Sequence, residues 1–260
     1  MRQALGSAVF NFYLFALTAT IMLYLWVLML ISRKAFQRAV TAWPRGLNWA
    51  LRNFCGIRFE VRGRENVPAE PVIYASKHQS TWETAYFLAY QYDIAYIMKR
   101  ELARIPLWGM YMAHGGHIMV DRKGGPSAMR RMIQETKNVL DSGRSVIIFP
   151  EGTRTPPGQT GTYFPGVAAM YTQTGATVVP VALNSGLFWG RRSFLKHPGT
   201  IVMEFLPPMP KDLDRKTFMR ELETRIETAT RRLEREAGAV AGHLSANAEN
   251  RPQDPVHVPD

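Results

Sequence analysis

Two short polar runs carry most of the chemistry legible in this sequence. The first, Lys77-His78-Gln79-Ser80-Thr81-Trp82-Glu83, follows the apolar run PVIYAS (71–76) and precedes another apolar run that begins at Thr84. His78 and Glu83 stand about 140° apart around an ideal helix, so they cannot pair if both lie inside one. With His78 in the loop and Glu83 in the first helical turn, the carboxylate can reach back to one imidazole nitrogen, fix the tautomer and leave the other nitrogen as a base. A glutamate there also satisfies free backbone donors and the helix dipole, so a capping role competes. The second run, Phe149-Pro150-Glu151-Gly152-Thr153-Arg154, ends the apolar stretch SVIIF (145–149) and enters a loop rich in glycine and proline. Gly152 permits close backbone approach, and Arg154 offers a planar fork suited to phosphate. A structural arginine and a capping glutamate are the alternatives. Arg122, just after HIMV (117–120) and Asp121, would add a second cation from a neighbouring strand end. No Gly-x-Ser-x-Gly elbow occurs, and Cys55 has no evident partner nearby in sequence. A base that activates the substrate's own hydroxyl is the economical mechanism left.

These residues need a frame. Beyond Gly56 the chain alternates β-rich runs with helical stretches: IRFEV (57–61), PVIYAS (71–76), IAYIM (94–98), HIMV (117–120), SVIIF (145–149), TVVPVAL (177–183) and TIVMEF (200–205) read as strands. Between them, Pro126–Asp141 carries Met129, Met132, Ile133, Thr136 and Leu140 at helical spacing and meets Gly143 at its end. The alternation predicts an α/β fold with a mostly parallel sheet flanked by helices, which places His78 at a strand's carboxyl end, where open sheets of this class carry their sites. A last helix is expected over Leu213–Glu236, with Phe218, Leu222, Ile226, Ala229 and Leu233 in one stripe. The aperiodic remainder, 237–260, reads as a disordered tail.

The composition, 46% hydrophobic and 20% charged over 260 residues, allows a buried core and excludes general disorder. The single cysteine excludes an internal disulfide or a thiolate zinc site. A net charge of +11 calls for an anionic partner: a phospholipid surface, a phosphorylated substrate or nucleic acid. The uncharged stretch Ala8–Ile31 narrows the choice, since as a helix it would extend about 36 Å against a hydrocarbon layer of about 30 Å. Only Arg2 precedes it, whereas Arg33, Lys34 and Arg38 follow, so the charge bias puts the rest of the chain in the cytoplasm. From Arg33 to Arg64, basic residues interleave with Phe36, Trp43, Leu47, Trp49, Leu51 and Phe54. This is either an amphipathic stretch lying on anionic lipid or a basic face packed on the domain. Residues 1–55 are therefore expected to be a membrane-anchoring helical segment and 56–236 the catalytic domain; nucleic acid is not an expected partner. His114 and His117 with Asp121 suggest a metal site superficially, but they read as structural or cleft-lining. Arg191, Arg192 and Lys196 read as a solvated patch, with a carrier-protein or coenzyme A contact as the sharper alternative.

HQSTWE (78–83), GGHIMVDR (115–122), FPEGTR (149–154) and VPVALNSG (179–186) occur in the order of the four blocks of the glycerolipid acyltransferase family, which this chain resembles over Lys77–Gly186. The resemblance implies transfer of an acyl group from acyl-CoA or acyl-carrier protein to the free hydroxyl of lysophosphatidic acid at a membrane phospholipid surface, giving phosphatidic acid, with no metal or redox cofactor. It implies His78 as general base and Glu83, where the family usually has aspartate, as its orienting carboxylate. Arg122, Glu151, Gly152, Thr153 and Arg154 would bind and position the phosphate-bearing acceptor. Another lysolipid acceptor, such as a lysophospholipid or lyso-ornithine lipid, and a non-catalytic binder of anionic lipid are the rival expectations. The bacterial inner membrane is the implied location.

Overall fold

The computed structural model describes the backbone of residues 1–249 and the side chains of residues 1–239. Three helices come first: α1 (Arg2–Ile31), α2 (Arg33–Val40) and α3 (Ala42–Cys55). Ser32 separates α1 from α2, and its hydroxyl caps α2 by accepting the Ala35 N–H. Gly56, at φ 65°, ends α3 in the left-handed conformation and turns the chain into the sheet. The alternating part then runs β1 (Ile57–Arg62), β2 (Ile73–Ser76), α4 (Trp82–Tyr90), β3 (Ala95–Lys99), α5 (Trp108–His114), β4 (Ile118–Val120), α6 (Gly125–Asp141), β5 (Val146–Ile148), α7 (Gly166–Thr174), β6 (Val178–Leu183), β7 (Gly199–Phe205) and α8 (Arg215–Glu249).

Every expected strand forms, and the seven assemble in the order β1-β7-β6-β2-β5-β3-β4. All neighbours are parallel except β6 and β7, which run antiparallel. β2, β5 and β6 are buried on both faces, which is why they read as continuous apolar runs. Alternation sorts their side chains into two layers. Tyr74, Val179 and Val181 join Leu47, Leu51, Trp82 and Phe87 in the layer under α3 and α4. Ile73, Val146 and Val178 join Val167, Met170, Phe218, Leu222 and Ile226 in the layer under α6, α7 and α8. The expected stripe of the last helix is thus buried. The helix itself continues to Glu249, so the tail expected from Ala237 is helical over its described part; the alanines of AGAVAG are better helix formers than an aperiodic reading allows. Residues 250–260 lie outside the described residues.

Among the described residues, α1 is the one helix long and apolar enough to cross a membrane. One narrow stripe of it docks on the domain. Ser7, Phe10 and Leu25 are buried, the Lys196 N–H donates to Ser7 Oγ at 3.0 Å, and Trp43 Nε1–H donates to Thr18 Oγ1 at 2.9 Å. The rest presents Phe12, Phe15, Leu23, Trp26, Val27 and Leu30 outward. Of the two readings of the basic stretch, the apolar side of α2 and α3 follows the second: Phe36, Leu47 and Leu51 pack inward, while Trp49 stays exposed.

Candidate active site

β2 delivers Lys77 and His78 to the carboxyl edge of the sheet, and the turn 78–81 leads into α4 with Glu83 in its first turn. Glu83 is fully buried and its carboxylate is saturated. Oε1 lies 2.9 Å from His78 Nδ1 and accepts the N–H groups of Gln79 at 2.7 Å and Ser80 at 2.6 Å. Oε2 accepts the Ser185 hydroxyl at 2.7 Å. Capping and pairing, which compete in the sequence, are one arrangement here. An acceptor-only carboxylate requires Nδ1 to carry the proton, which leaves the Nε2 lone pair free as a base. The Phe149 ring stacks on the imidazole at 4.1 Å and fixes its plane.

The loop after β5 is stitched to both sides of His78. Glu151 Oε2 accepts the His78 N–H at 3.1 Å, and the Thr155 N–H donates to the His78 carbonyl at 2.8 Å. Glu151 is buried, and its other oxygen accepts from Lys77 Nζ at 2.7 Å and from the Gly161 N–H at 3.2 Å. It is not among the residues that line the cavity in front of His78. Its carboxylate is engaged by Lys77 and by the His78 backbone.

Lys77, absent from the expected site residues, has no exposed surface at all. Its ammonium sits between Glu151 and Glu227 of α8, at 2.7 Å from each, and also donates to the Gln159 carbonyl at 3.2 Å. Glu227 accepts from Tyr163 at 2.9 Å and Thr160 at 3.1 Å. Burial beside these carboxylates pushes the Tyr163 hydroxyl far above its ordinary range. Another α8 carboxylate, Glu234, accepts from the Gln79 amide at 2.8 Å and from the Gly158 N–H at 3.1 Å. The whole turn 77–79 is thus braced from behind by the last helix. Only the residue types at 77, 227 and 234 hinted at this, with nothing local to link them.

In front of His78 opens a cavity of about 950 Å³. Its lining includes His78, Arg122, Gly152, Thr153, Arg154 and Arg191 together with apolar Leu88, Ile97, Met98, Leu102, Met129 and Met132. Arg122 Nη1 donates to the Gly152 carbonyl at 2.7 Å. Gly152 adopts φ 65°, a conformation that favours glycine, and a Cβ there would stand 3.0 Å from Arg122 Nη1, the movable end of that side chain. Arg154 Nη1 donates to Thr81 Oγ1 at 2.8 Å. Partial burial holds the Arg154 guanidinium below its usual value, countered by Glu83 and reinforced by Arg191 and Arg192. A cavity lined by several arginines and many apolar side chains suits an amphiphile with an anionic head.

The remaining expectations resolve simply. His117 lines the cavity and its Nδ1 accepts the Tyr96 N–H at 3.1 Å; burial and Arg144 hold the ring neutral, down to about 4. His114 stacks edge-on against Phe36 at 4.8 Å, and no group of three metal-ligating side chains exists among the described residues. Lys196 is not part of a solvated patch: it is buried, with Nζ donating to Asn11 Oδ1 and to the Ser193 and Phe194 carbonyls. The rings of Phe10 and Trp189 and the Asn11 side chain of α1 provide an environment that the local sequence does not advertise.

Residues 58–184 match the family model described as Acyltransferase. The chain is 36% identical over 195 residues to a 1-acyl-sn-glycerol-3-phosphate acyltransferase of Pseudomonas aeruginosa, an alignment that covers 75% of this chain and 76% of that one. Over 160 residues it is 29% identical to the enzyme of the same name from Limnanthes alba, covering 60% of this chain and 56% of the relative. A lyso-ornithine lipid O-acyltransferase of Pseudomonas aeruginosa is 26% identical over 211 residues, with 74% and 79% covered. In fold, the chain matches the crystal structure of the 1-acyl-sn-glycerophosphate acyltransferase of Thermotoga maritima with a TM-score of 0.69 over 98% of this chain and all of that one, at 21% identity.

Proposed function

The chain belongs to the acyltransferase family, and from that premise we propose that it transfers a fatty acyl group from a coenzyme A or carrier-protein thioester to the free hydroxyl of 1-acylglycerol-3-phosphate, producing phosphatidic acid. The observation that carries this reading is the Nδ1-anchored His78, which lines a cavity that combines arginines with many apolar side chains.

His78 Nε2 takes the proton of the acceptor hydroxyl as that oxygen attacks the thioester carbonyl carbon. The imidazolium formed is stabilised by Glu83, which keeps its own charge. Collapse of the tetrahedral intermediate breaks the carbon–sulfur bond, and the departing thiolate recovers the proton from His78. The products are an ester and a free thiol, and no carbon changes oxidation state, so the balance calls for no electron carrier. Arg122 and Arg154 hold the acceptor phosphate, with Gly152 and Thr153 shaping the approach; Glu151 holds the His78 backbone. Methionines and leucines lining the cavity receive the hydrocarbon.

Residues 1–55 attach the enzyme to the inner membrane of a bacterium, with the catalytic domain on the cytoplasmic face. The exposed apolar surface of α1 and the Arg33, Lys34 and Arg38 cluster that follows it support this arrangement. The experiment is phosphatidic acid formation by the full chain in detergent, from lysophosphatidic acid and an acyl thioester. His78→Ala should lose at least about 10³-fold in kcat with its melting transition intact. Full activity in that variant would refute the reading, and turnover of lyso-ornithine lipid in preference to lysophosphatidic acid would reassign the acceptor.

A further inference from the structure

His78 follows β2, which lies between β5 and β6 in the sheet. Arg122 and Arg154 reach the site from the β4 and β5 side. On the other side, the connection between β6 and β7 carries Arg191 and Arg192, and Arg191 lines the same cavity. Arg122 and Arg154 each already hold a protein oxygen. Arg191 and Arg192 are exposed, and neither has an ion-pair partner among the described residues.

These two side chains are presented by a built turn. The Ser193 N–H donates to the Gly190 carbonyl at 3.1 Å, and Arg192 holds φ 58°, a left-handed conformation that a residue with a long side chain seldom takes. The turn is fastened by Lys196. Its buried ammonium binds the Ser193 and Phe194 carbonyls at 3.1 and 2.9 Å and Asn11 Oδ1 at 2.9 Å, and stands 5.3 Å from the rings of both Phe10 and Trp189. A buried cation that has no carboxylate is costly unless its protons are satisfied, and here they are spent on fixing the turn.

Acyl transfer needs two phosphorylated substrates at one base. The acceptor carries a phosphate monoester. In either carrier the donor sulfur is joined through a pantetheine arm to a phosphate. Hydroxyl and thioester must both reach His78, and Arg191 and Arg192 enter the cavity from a different strand connection than Arg122 and Arg154. We propose that Arg191 and Arg192 form a second phosphate subsite, for the phosphate on the donor's pantetheine arm, with Lys196 as the positioning residue that holds their turn against α1. This inference rests on the acyl-transfer reading above. Arg191 and Arg192 also add to the positive field at Arg154, which a second anion would relieve.

The test is steady-state kinetics of the full chain in detergent with lysophosphatidic acid, using acyl-CoA and acyl-pantetheine, which lacks the phosphate, as donors. Arg191→Gln with Arg192→Gln should raise the KM for acyl-CoA about 10-fold or more, as expected for loss of charge-assisted hydrogen bonds. The KM for lysophosphatidic acid should stay within about twofold, and the wild-type preference for acyl-CoA over acyl-pantetheine should collapse. Lys196→Met should raise the same donor KM, and should add nothing in the double-arginine background. A rise in the acceptor KM in place of the donor KM, an unchanged preference between donors, or no change in either KM would overturn the proposal while leaving acyl transfer intact. Wild-type protein that forms no phosphatidic acid from either donor would overturn the parent reading as well.

Discussion

Replacing Glu83 by Gln separates charge from shape at the base. The carboxylate holds four donors, two backbone N–H groups, the His78 Nδ1–H and the Ser185 hydroxyl. In the variant, the amide oxygen must stay with the backbone donors, which turns the NH₂ toward Ser185 Oγ, an atom able to accept. The hydrogen-bond pattern survives, and the anion beside Nδ1 is lost. With charge centres about 4 Å apart and an effective dielectric of about 20, that anion would stabilise the imidazolium of the proposed mechanism by about 4 kcal/mol. This corresponds to about 10³ in kcat. The burial of Glu83 makes salt a weak modulator of the effect. Phosphatidic acid formation at saturating substrates measures kcat, and a melt in the same detergent measures the fold. A variant within about 10-fold of wild-type kcat, with an unchanged melt, would refute the electrostatic role. Glu83→Asp keeps the charge but draws it back by a methylene, so it must give up either His78 or Ser185, and its rate should fall between those of wild type and Glu83→Gln.

Lys77→Met leaves Glu151 and Glu227 buried without their shared cation, and should cost about 3–5 kcal/mol of stability in urea unfolding; an unmoved midpoint would show that the ion pairs carry no weight. His117, held near 4 against an ordinary 6.5, takes up its proton more readily in the unfolded chain. The stability contributed by the neutral ring is full above the unfolded value and is lost as pH falls through that window, by up to about 3 kcal/mol. His117→Gln, whose oxygen can still accept the Tyr96 N–H, should lose that part of the pH dependence, and matching wild-type and variant stability profiles between pH 4 and 6.5 would contradict the assignment.

The strands were legible because both faces of the sheet are covered, which concentrates Val, Ile and Leu into short runs bounded by turn residues. The pairing of His78 with Glu83 was legible because both lie within one turn and one helix start. Contacts that depend on tertiary approach were not. Glu227 and Glu234 read as ordinary charges on an amphipathic helix, since nothing near them in sequence says that Lys77 and Gln79 come to meet them. Lys196 read as solvated because its carbonyl and aromatic neighbours are assembled only when α1 folds back on the 190–197 turn. Glu151 shares a block with Gly152 and Arg154, and only its inward side-chain direction sets it apart from them.

The bracing of the 77–79 turn by α8 also orders events in time. α8 follows every strand in the chain, so a ribosome releases β2 and α4 long before Glu227 and Glu234 emerge. In that interval Lys77 has at most one of its two carboxylates, and Gln79 lacks Glu234. The residues that flank His78 reach their final contacts only when the last helix has closed on the sheet. A chain whose last helix has not yet closed on the sheet lacks these braces, so the turn that bears His78 gains its full support only with completion of the fold.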